Sequence, residues 1–346
     1  MASTQKAVAV LEIGKPVANI ISYPIPEPGE NQVQLKVTVA GVNPHDRKVR
    51  DTGIFVATTL PAILCNDVVG KVSKIGGGVT DLGIGDRVMS QAGLTPGSTQ
   101  NGLQEYALAE IGGFSRIPDS ITDDEAATLP CNTIASFMAL FVSLAIPAPW
   151  SPGAKDFNYA STTLLIIGGG SNCGRFGVQL AKLAGIGKIV VVGGHETELM
   201  GLGASHVIDR HAARDIVLER IKEVVHDDLI YAFDAVSAPE DQVLAVNALS
   251  SYKRGTLARL LPDGPIDGSK VSHKHAGFDV QNVFGVWQAN PQLAKEFWKR
   301  LPSYLEAGRI KPLEYIVRHG LEAEYVNEVL DRYRNGEKVV KVHIHI

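Results

Sequence analysis

The segment Leu164-Leu165-Ile166-Ile167-Gly168-Gly169-Gly170-Ser171-Asn172-Cys173-Gly174 constrains the fold more than any other. A short apolar run ends in a glycine cluster, and the cluster opens a stretch of helical periodicity over residues 173–184. The apolar run reads as a buried strand. The spacing Gly169-x-Ser171-x-x-Gly174 is a G-x-G-x-x-G variant with serine at the second glycine. Small residues there let the backbone approach a pyrophosphate. The helix N-terminus supplies N–H groups and a positive dipole end, and the last glycine lets the helix pack on the sheet. The motif predicts a dinucleotide site at Gly168, Gly169, Gly170, Ser171, Asn172, Cys173 and Gly174.

The flanking rhythm agrees. Apolar runs at 163–167, 188–192, 206–208, 229–233, 256–261 and 280–286 alternate with helical patterns at 173–184, 198–202, 212–225 and 241–249. That alternation predicts a parallel sheet with both faces covered. The first third differs. Residues 6–12, 32–42, 68–75, 87–90 and 104–109 are β-branched or alternating, and Pro24-x-Pro26-x-Pro28-Gly29, Gly76-Gly77-Gly78 and Gly83-x-Gly85-Asp86 punctuate them. Short strands at that spacing predict a partly closed barrel. A helix opens at Asp123-Asp124, and an apolar one covers 134–145. Helices at 291–307 and 322–335 and a strand at 339–344 close the chain. The expected fold class is α/β: a β-barrel domain plus a doubly wound parallel sheet.

Composition sets limits around this reading. With 346 residues, two domains are expected. The three cysteines, Cys65, Cys131 and Cys173, form no C-x-x-C, which argues against a disulfide framework or a zinc knuckle. A net charge of −4 without a basic tract argues against nucleic acid as a partner. The apolar stretch 134–146 is shorter than the ~20 residues a bilayer requires. Residues 1–6 lack the features of a secretory leader. A cytoplasmic protein with no membrane partner is expected.

The end of the second parallel strand bears on the cofactor. NAD sites carry Asp or Glu there. This chain reads Val192-Gly193-Gly194-His195-Glu196. Gly194 and His195 leave room for a 2′-phosphate, which His195 could bond. No Lys or Arg follows before Arg210, and Glu196 could serve as a ribose carboxylate one step late. NADPH is the expected cofactor, with NADH the alternative.

Taken together the chain resembles the medium-chain dehydrogenase/reductase superfamily, with a GroES-like barrel and a Rossmann domain. The resemblance covers nearly the whole chain. Beside the glycine loop it rests on Ala40-Gly41-Val42-Asn43-Pro44-His45-Asp46, Cys65-Asn66-Asp67-Val68-Val69-Gly70, Gly85-Asp86-Arg87-Val88, Gly102-x-x-Glu105-Tyr106 and Leu202-Gly203-Ala204-Ser205-His206-Val207-Ile208-Asp209. It looks closest to the zinc-free quinone oxidoreductase and enoyl reductase branch, including fungal trans-acting enoyl reductases. The resemblance implies a discontinuous GroES-like catalytic domain at 1–130 and 282–346, with a Rossmann domain at 131–281. It also implies a homodimer paired through the 280–286 edge strands. By the same carry-over, Val236 and Ser237 follow a strand end near the nicotinamide ribose, and Phe284 and Val286 lie near the carboxamide.

The superfamily's catalytic zinc positions look like Asn43, Asn66 with Asp67, and Cys131, one soft ligand where zinc prefers imidazole and thiolate. No zinc and no metal ligands are expected. Without a Lewis acid, the expected reaction is hydride transfer to an activated C=C of a small molecule: an enone, an enoyl thioester or a quinone, in fungal secondary metabolism. The alternatives are a carbonyl/alcohol oxidoreductase on a natural product and a non-enzymatic NADPH-binding protein. Mitochondrial-type enoyl reductases carry a tyrosine donor in a Gly-x-Tyr setting, which reads Gly53-Ile54-Phe55 here. Phenylalanine cannot donate, so that acid is missing; Asn43 is the first candidate to line the cleft, because its amide could bond substrate or the nicotinamide ribose. His45 is a candidate acid, since an imidazole titrates near neutrality, and Tyr106 is a further candidate contact. Loops at 52–59, 95–101 and 288–291 are expected to line the substrate.

Overall fold

The computed structural model describes residues 3–56, 59–93, 98–262 and 264–346. The expected substrate loops thus fall partly outside the described residues. Two compact units divide the chain, one formed by Met1–Cys131 with Val286–Ile346 and the other by Asn132–Gly285.

The first unit opens with β1 (Thr4–Val10), β2 (Ala18–Pro24) and β3 (Gln32–Val42), then α1 (Pro44–Thr52). β4 (Ala62–Ile63), β5 (Asp67–Ile75), β6 (Arg87–Gln91), β7 (Tyr106–Glu110), β8 (Phe114–Arg116) and α2 (Asp123–Ala127) follow. β2 escapes the sequence pattern because it is mostly exposed or half-buried and makes no clean apolar alternation. Helix α1 is set by its cap. Asn43 is the N-cap and Pro44 is the first helical residue, whose missing N–H costs nothing there. The Asp46 side chain accepts from the Asn43 N–H (2.7 Å), and Gly53 ends the helix in the left-handed region.

Helix α3 (Pro130–Met138) leads on from α2 and ends in a wide turn, Ala139–Ser143. The stretch Asp123–Ser143 is 21 residues with mean hydropathy 1.4, long enough to cross a bilayer. It is 89% buried, which marks a core helix.

The second unit alternates strand and helix: β9 (Thr163–Ile167), α4 (Asn172–Ala184), β10 (Lys188–Val192), α5 (Glu196–Leu202), β11 (His206–Ile208), α6 (Arg214–Val225), β12 (Tyr231–Asp234), α7 (Val243–Ala248), β13 (Gly255–Arg259) and β14 (Phe278–Asn282). The last strand runs earlier than the expected 280–286, so Phe284 and Val286 lie beyond it. The six strands pair in parallel in the order β11-β10-β9-β12-β13-β14. The chain moves outward from β9 one way, then returns and moves outward the other way. The order therefore reverses between β9 and β12, where doubly wound sheets bind ligands outside the strand ends. Leu165, Val190, Ala232 and Leu257 pack beneath Val217, Ile221 and Val246 in this unit's core.

The chain then returns to the first unit as α8 (Pro291–Glu306), β15 (Tyr315–His319), α9 (Ala323–Arg334) and β16 (Lys341–His345). A seven-stranded sheet runs β15-β16-β3-β5-β6-β8, with β7 paired to β3. β16 lies antiparallel beside β3, opposing His343 to Gly41. Residues from the two ends of the sequence therefore meet on adjacent strands.

Candidate functional site

In the second unit the glycine loop folds back on the end of β10. The Gly168 and Gly169 N–H groups both donate to the Val192 carbonyl, at 3.0 and 3.2 Å. Gly168 sits at φ +86°, which favours glycine. A Cβ at Gly169 would lie 2.2 Å from Val191 Cγ1, and one at Gly174 would lie 2.2 Å from the Gly168 carbonyl oxygen. Gly170 and Gly194 approach backbone to backbone, since a Cβ on Gly194 would come within 2.7 Å of the Gly170 nitrogen. Ser171 is the N-cap of α4. Its Oγ accepts from the Gly174 N–H (2.9 Å) and donates to the Gly168 carbonyl (2.8 Å). Serine at the second glycine position is thus part of the turn. Arg175 donates to the Gly170 carbonyl (2.7 Å) and to both carboxylate oxygens of Glu198 (2.5 and 3.0 Å), tying loop, α4 and α5 together.

Across the switch point, Asp234 ends β12 and is almost wholly buried. Its Oδ1 accepts from the Val236 and Ser237 N–H groups (3.1 and 2.8 Å), while Oδ2 has no partner. Burial raises its carboxyl above the ordinary range. Val236 lies over Gly168, where a Cβ would meet Val236 Cγ2 at 2.4 Å. Phe284 is exposed beyond β14. Val286 belongs to the first unit.

His195 is the exposed N-cap residue of α5, and its side chain makes no cap bond. A residue that sequence spacing missed lies beside it in the fold. Arg210, two residues past β11, passes over Gly193, where a Cβ would meet Arg210 Cδ at 2.9 Å. Its guanidinium is exposed and has no ion-pair or hydrogen-bond partner among the described residues. Of the two carboxylates at this turn, Glu198 is held by Arg175, whereas Glu196 is exposed and has no ion-pair or hydrogen-bond partner among the described residues.

In the first unit Asn43 is buried. Its Nδ2 donates to Asp67 Oδ2 (2.6 Å), and its Oδ1 accepts from the Lys341 ammonium (3.0 Å). That ammonium also sits 2.5 Å from Asp67 Oδ2, while Asp67 Oδ1 accepts from the Cys131 N–H (2.6 Å). Burial alone would raise the Asp67 carboxyl, but Lys341 and these hydrogen bonds hold it below the ordinary range. Asn43 is therefore an internal brace; its amide does not wait for a substrate. Burial pushes the thiols of Cys65 and Cys131 well above their usual range.

His45 stands one turn position beyond this brace, with its side chain 38% exposed. Its Nε2 lies 3.0 Å from Asn66 Oδ1 and 3.8 Å from Asp46 Oδ1. Tyr106 starts β7 opposite Lys36, in the middle of β3. At ~3.3 Å per residue that is roughly 20 Å along the strand from Asn43, so the structure does not group it with His45. Phe55 is exposed at φ +70°.

Residues 29–119 match the alcohol dehydrogenase GroES-like domain. Over 322 residues the chain is 30% identical to the trans-enoyl reductase himH of Aspergillus japonicus, spanning 91% of this chain and 90% of that protein. The chain belongs to the medium-chain dehydrogenase/reductase superfamily. Within the superfamily it falls in the enoyl reductase-like branch, and it is an oxidoreductase of the medium-chain reductase type. Solved superfamily folds align over its full length. A quinone oxidoreductase of Pseudomonas syringae superposes with TM-score 0.77 at 18% identity, covering 99% of this chain and 100% of that one. A mycobacterial protein complexed with NADPH superposes with TM-score 0.73 at 19% identity, over 99% and 100%.

Zinc, which some superfamily members carry, is tested by the donors present. Asp67 and Asn43 already share a fixed ammonium, and a dication among them would sit beside that positive charge. Asn66 offers an amide where zinc favours imidazole or thiolate. This set does not fit zinc. Among the described residues no cluster of three His, Cys, Asp or Glu side chains is arranged for a metal ion. A dinucleotide does fit the second unit: side chains are excluded from the glycine cradle, and the buried Asp234 Oδ2 lacks a partner beside it.

Proposed function

We propose that the chain is an NADPH-dependent, zinc-free reductase that delivers hydride to an activated C=C of an enone, enoyl thioester or quinone in fungal secondary metabolism. The observation that carries the cofactor half is Arg210 lying unpaired across Gly193 at the end of β10. The name of the fungal relative, a trans-enoyl reductase, supports the reaction half.

Gly168, Gly169, Gly170, Ser171, Asn172, Cys173 and Gly174 hold the pyrophosphate against the positive end of α4. Arg210 and His195, with the Gly194 backbone, take the 2′-phosphate. Val236 and Ser237 border the nicotinamide ribose, and Phe284 and Val286 the carboxamide. Bound there, the dinucleotide supplies a hydride. An activated C=C suits a site without a Lewis acid, because the incoming charge passes to the substrate's own carbonyl oxygen. The remaining need is one proton at the α-carbon. His45 is the half-exposed candidate for it, since Asn43 is buried and Tyr106 is remote. The free edge of β14 supports a homodimer by strand pairing.

The test is NADPH and NADH consumption on a panel of enones, quinones, acyl-thioester enoyls and simple ketones. Turnover of the activated alkenes or quinones, with NADPH preferred, is expected. Turnover of ketones alone would overturn the reading in favour of carbonyl reduction, and binding without any turnover would favour a non-enzymatic role.

A further inference from the structure

We infer that Asn66 is a positioning residue that fixes the tautomer of His45, so that His45 exchanges its proton only through Nδ1. The inference rests on the proposed C=C reduction for its chemical use, but not for its geometry.

Asn66 is clipped to Ala92 by one side-chain and one main-chain bond. Its Nδ2 donates to the Ala92 carbonyl (2.9 Å), and its main-chain carbonyl accepts from the Ala92 N–H (2.9 Å). Turning the amide over would set Oδ1 against the Ala92 carbonyl, oxygen to oxygen, so the orientation is determined. Oδ1 is therefore what faces His45 Nε2 at 3.0 Å, and an amide oxygen only accepts. Nε2 must carry hydrogen. Asp46 Oδ1, 3.8 Å from the same nitrogen, adds a second acceptor on that side. Asp46 is itself fixed, because its carboxylate accepts from the Asn43 and Cys65 N–H groups (2.7 and 2.9 Å). Among the described residues His45 Nδ1 has no hydrogen-bond partner.

This arrangement matches a donor that must release a proton without rearranging. Once the substrate's β-carbon had gained a hydride, which a bound dihydronicotinamide would supply, the electron pair at the α-carbon would take the Nδ1 proton of the imidazolium. The N–H bond breaks, the second C–H bond forms, and the imidazole is left neutral with hydrogen on Nε2. Solvent returns the proton to Nδ1. The Nε2–H bond to Asn66 is present before and after, so the ring keeps its place throughout.

The test reads the ring directly. In ¹⁵N-histidine-labelled protein above the imidazole titration, His45 should show the Nε2–H tautomer. Asn66→Ala should turn this into a mixture of tautomers. In activity, His45→Gln, whose amide N–H can still reach Asn66, should lower the rate on a competent alkene by about 100-fold, the low end for a lost general acid. Asn66→Ala should lower it by less. An Nδ1–H signal in the native protein, or an unchanged tautomer in a folded Asn66→Ala protein, overturns the positioning role. A correct tautomer with no rate change in His45→Gln leaves the positioning intact and removes His45 from the reaction.

Discussion

The side chain of Arg210 lies across Gly193, although 17 positions separate them. The β10-α5-β11 crossover brings them together, and glycine at 193 leaves the space that the Arg210 stem occupies. Replacing Arg210 by Gln should weaken NADPH binding by about 10- to 100-fold, the range for a lost charge-assisted hydrogen bond of ~1.5–3 kcal/mol. NADH binding should barely change. Fluorescence titration with both cofactors checks this, and an unaltered NADPH-to-NADH ratio would remove Arg210 from the phosphate site.

Gly174→Ala places a Cβ 2.2 Å from the Gly168 carbonyl oxygen, which cannot move without opening the loop. Loss of cofactor binding is expected, with a lowered melting temperature. Gly201 in α5 is the control, because a Cβ there meets nothing within 4 Å. Gly201→Ala should raise stability by about 0.4–1 kcal/mol through helix propensity and a less flexible unfolded chain. Calorimetry on the pair separates steric closure from a general dislike of side chains in this unit.

Lys341→Met leaves Asp67 buried without its ammonium. The expected cost is about 3–5 kcal/mol, as for removing one partner of a buried pair. The double variant Lys341→Met with Asp67→Asn should recover part of that loss. Denaturant titration reads both, and a single variant as stable as the native protein would show that the pair is not coupled.

Acid stability should depend on His343. Burial lowers its pKa from 6.5 despite the nearby Asp124 carboxylate, which accepts from its Nδ1 (2.9 Å). A base with a depressed folded pKa contributes stability above its unfolded pKa of 6.5 and loses it as pH falls through the folded value. Asp124 works in the same direction at lower pH. Burial would raise its carboxyl, but bonds from His343 and His345 hold it below 3.8, so that contribution fades as pH drops further. His343→Gln should be less stable at pH 7 and should lose less on acidification to pH 5. Melting curves across that interval compare the two slopes.

The glycine loop and the parallel strands are legible from sequence because their signals are local: an apolar run, a turn, a helical period. Arg210 is not, since counting forward from β10 ignores the crossover that returns the chain. Asn43 illustrates the opposite failure. Resemblance sets it toward substrate, while its actual partners, Asp67 and Lys341, start the strands β5 and β16 that flank β3. Asn66 stands in a legible motif, but only the bond to Ala92 reveals which end of its amide meets His45. The exposed β2 and the half-buried β15 lack the apolar alternation that would announce a strand.

Asp67 and Lys341 are 274 residues apart in the chain. During synthesis the carboxylate emerges long before its counterion exists. Until then the carboxyl can be enclosed only by taking up a proton, whereas the intervening parallel-sheet unit has all of its own strands by residue 285. The inserted unit is thus free to mature first, while the first unit completes its buried ion pair only when β16 arrives.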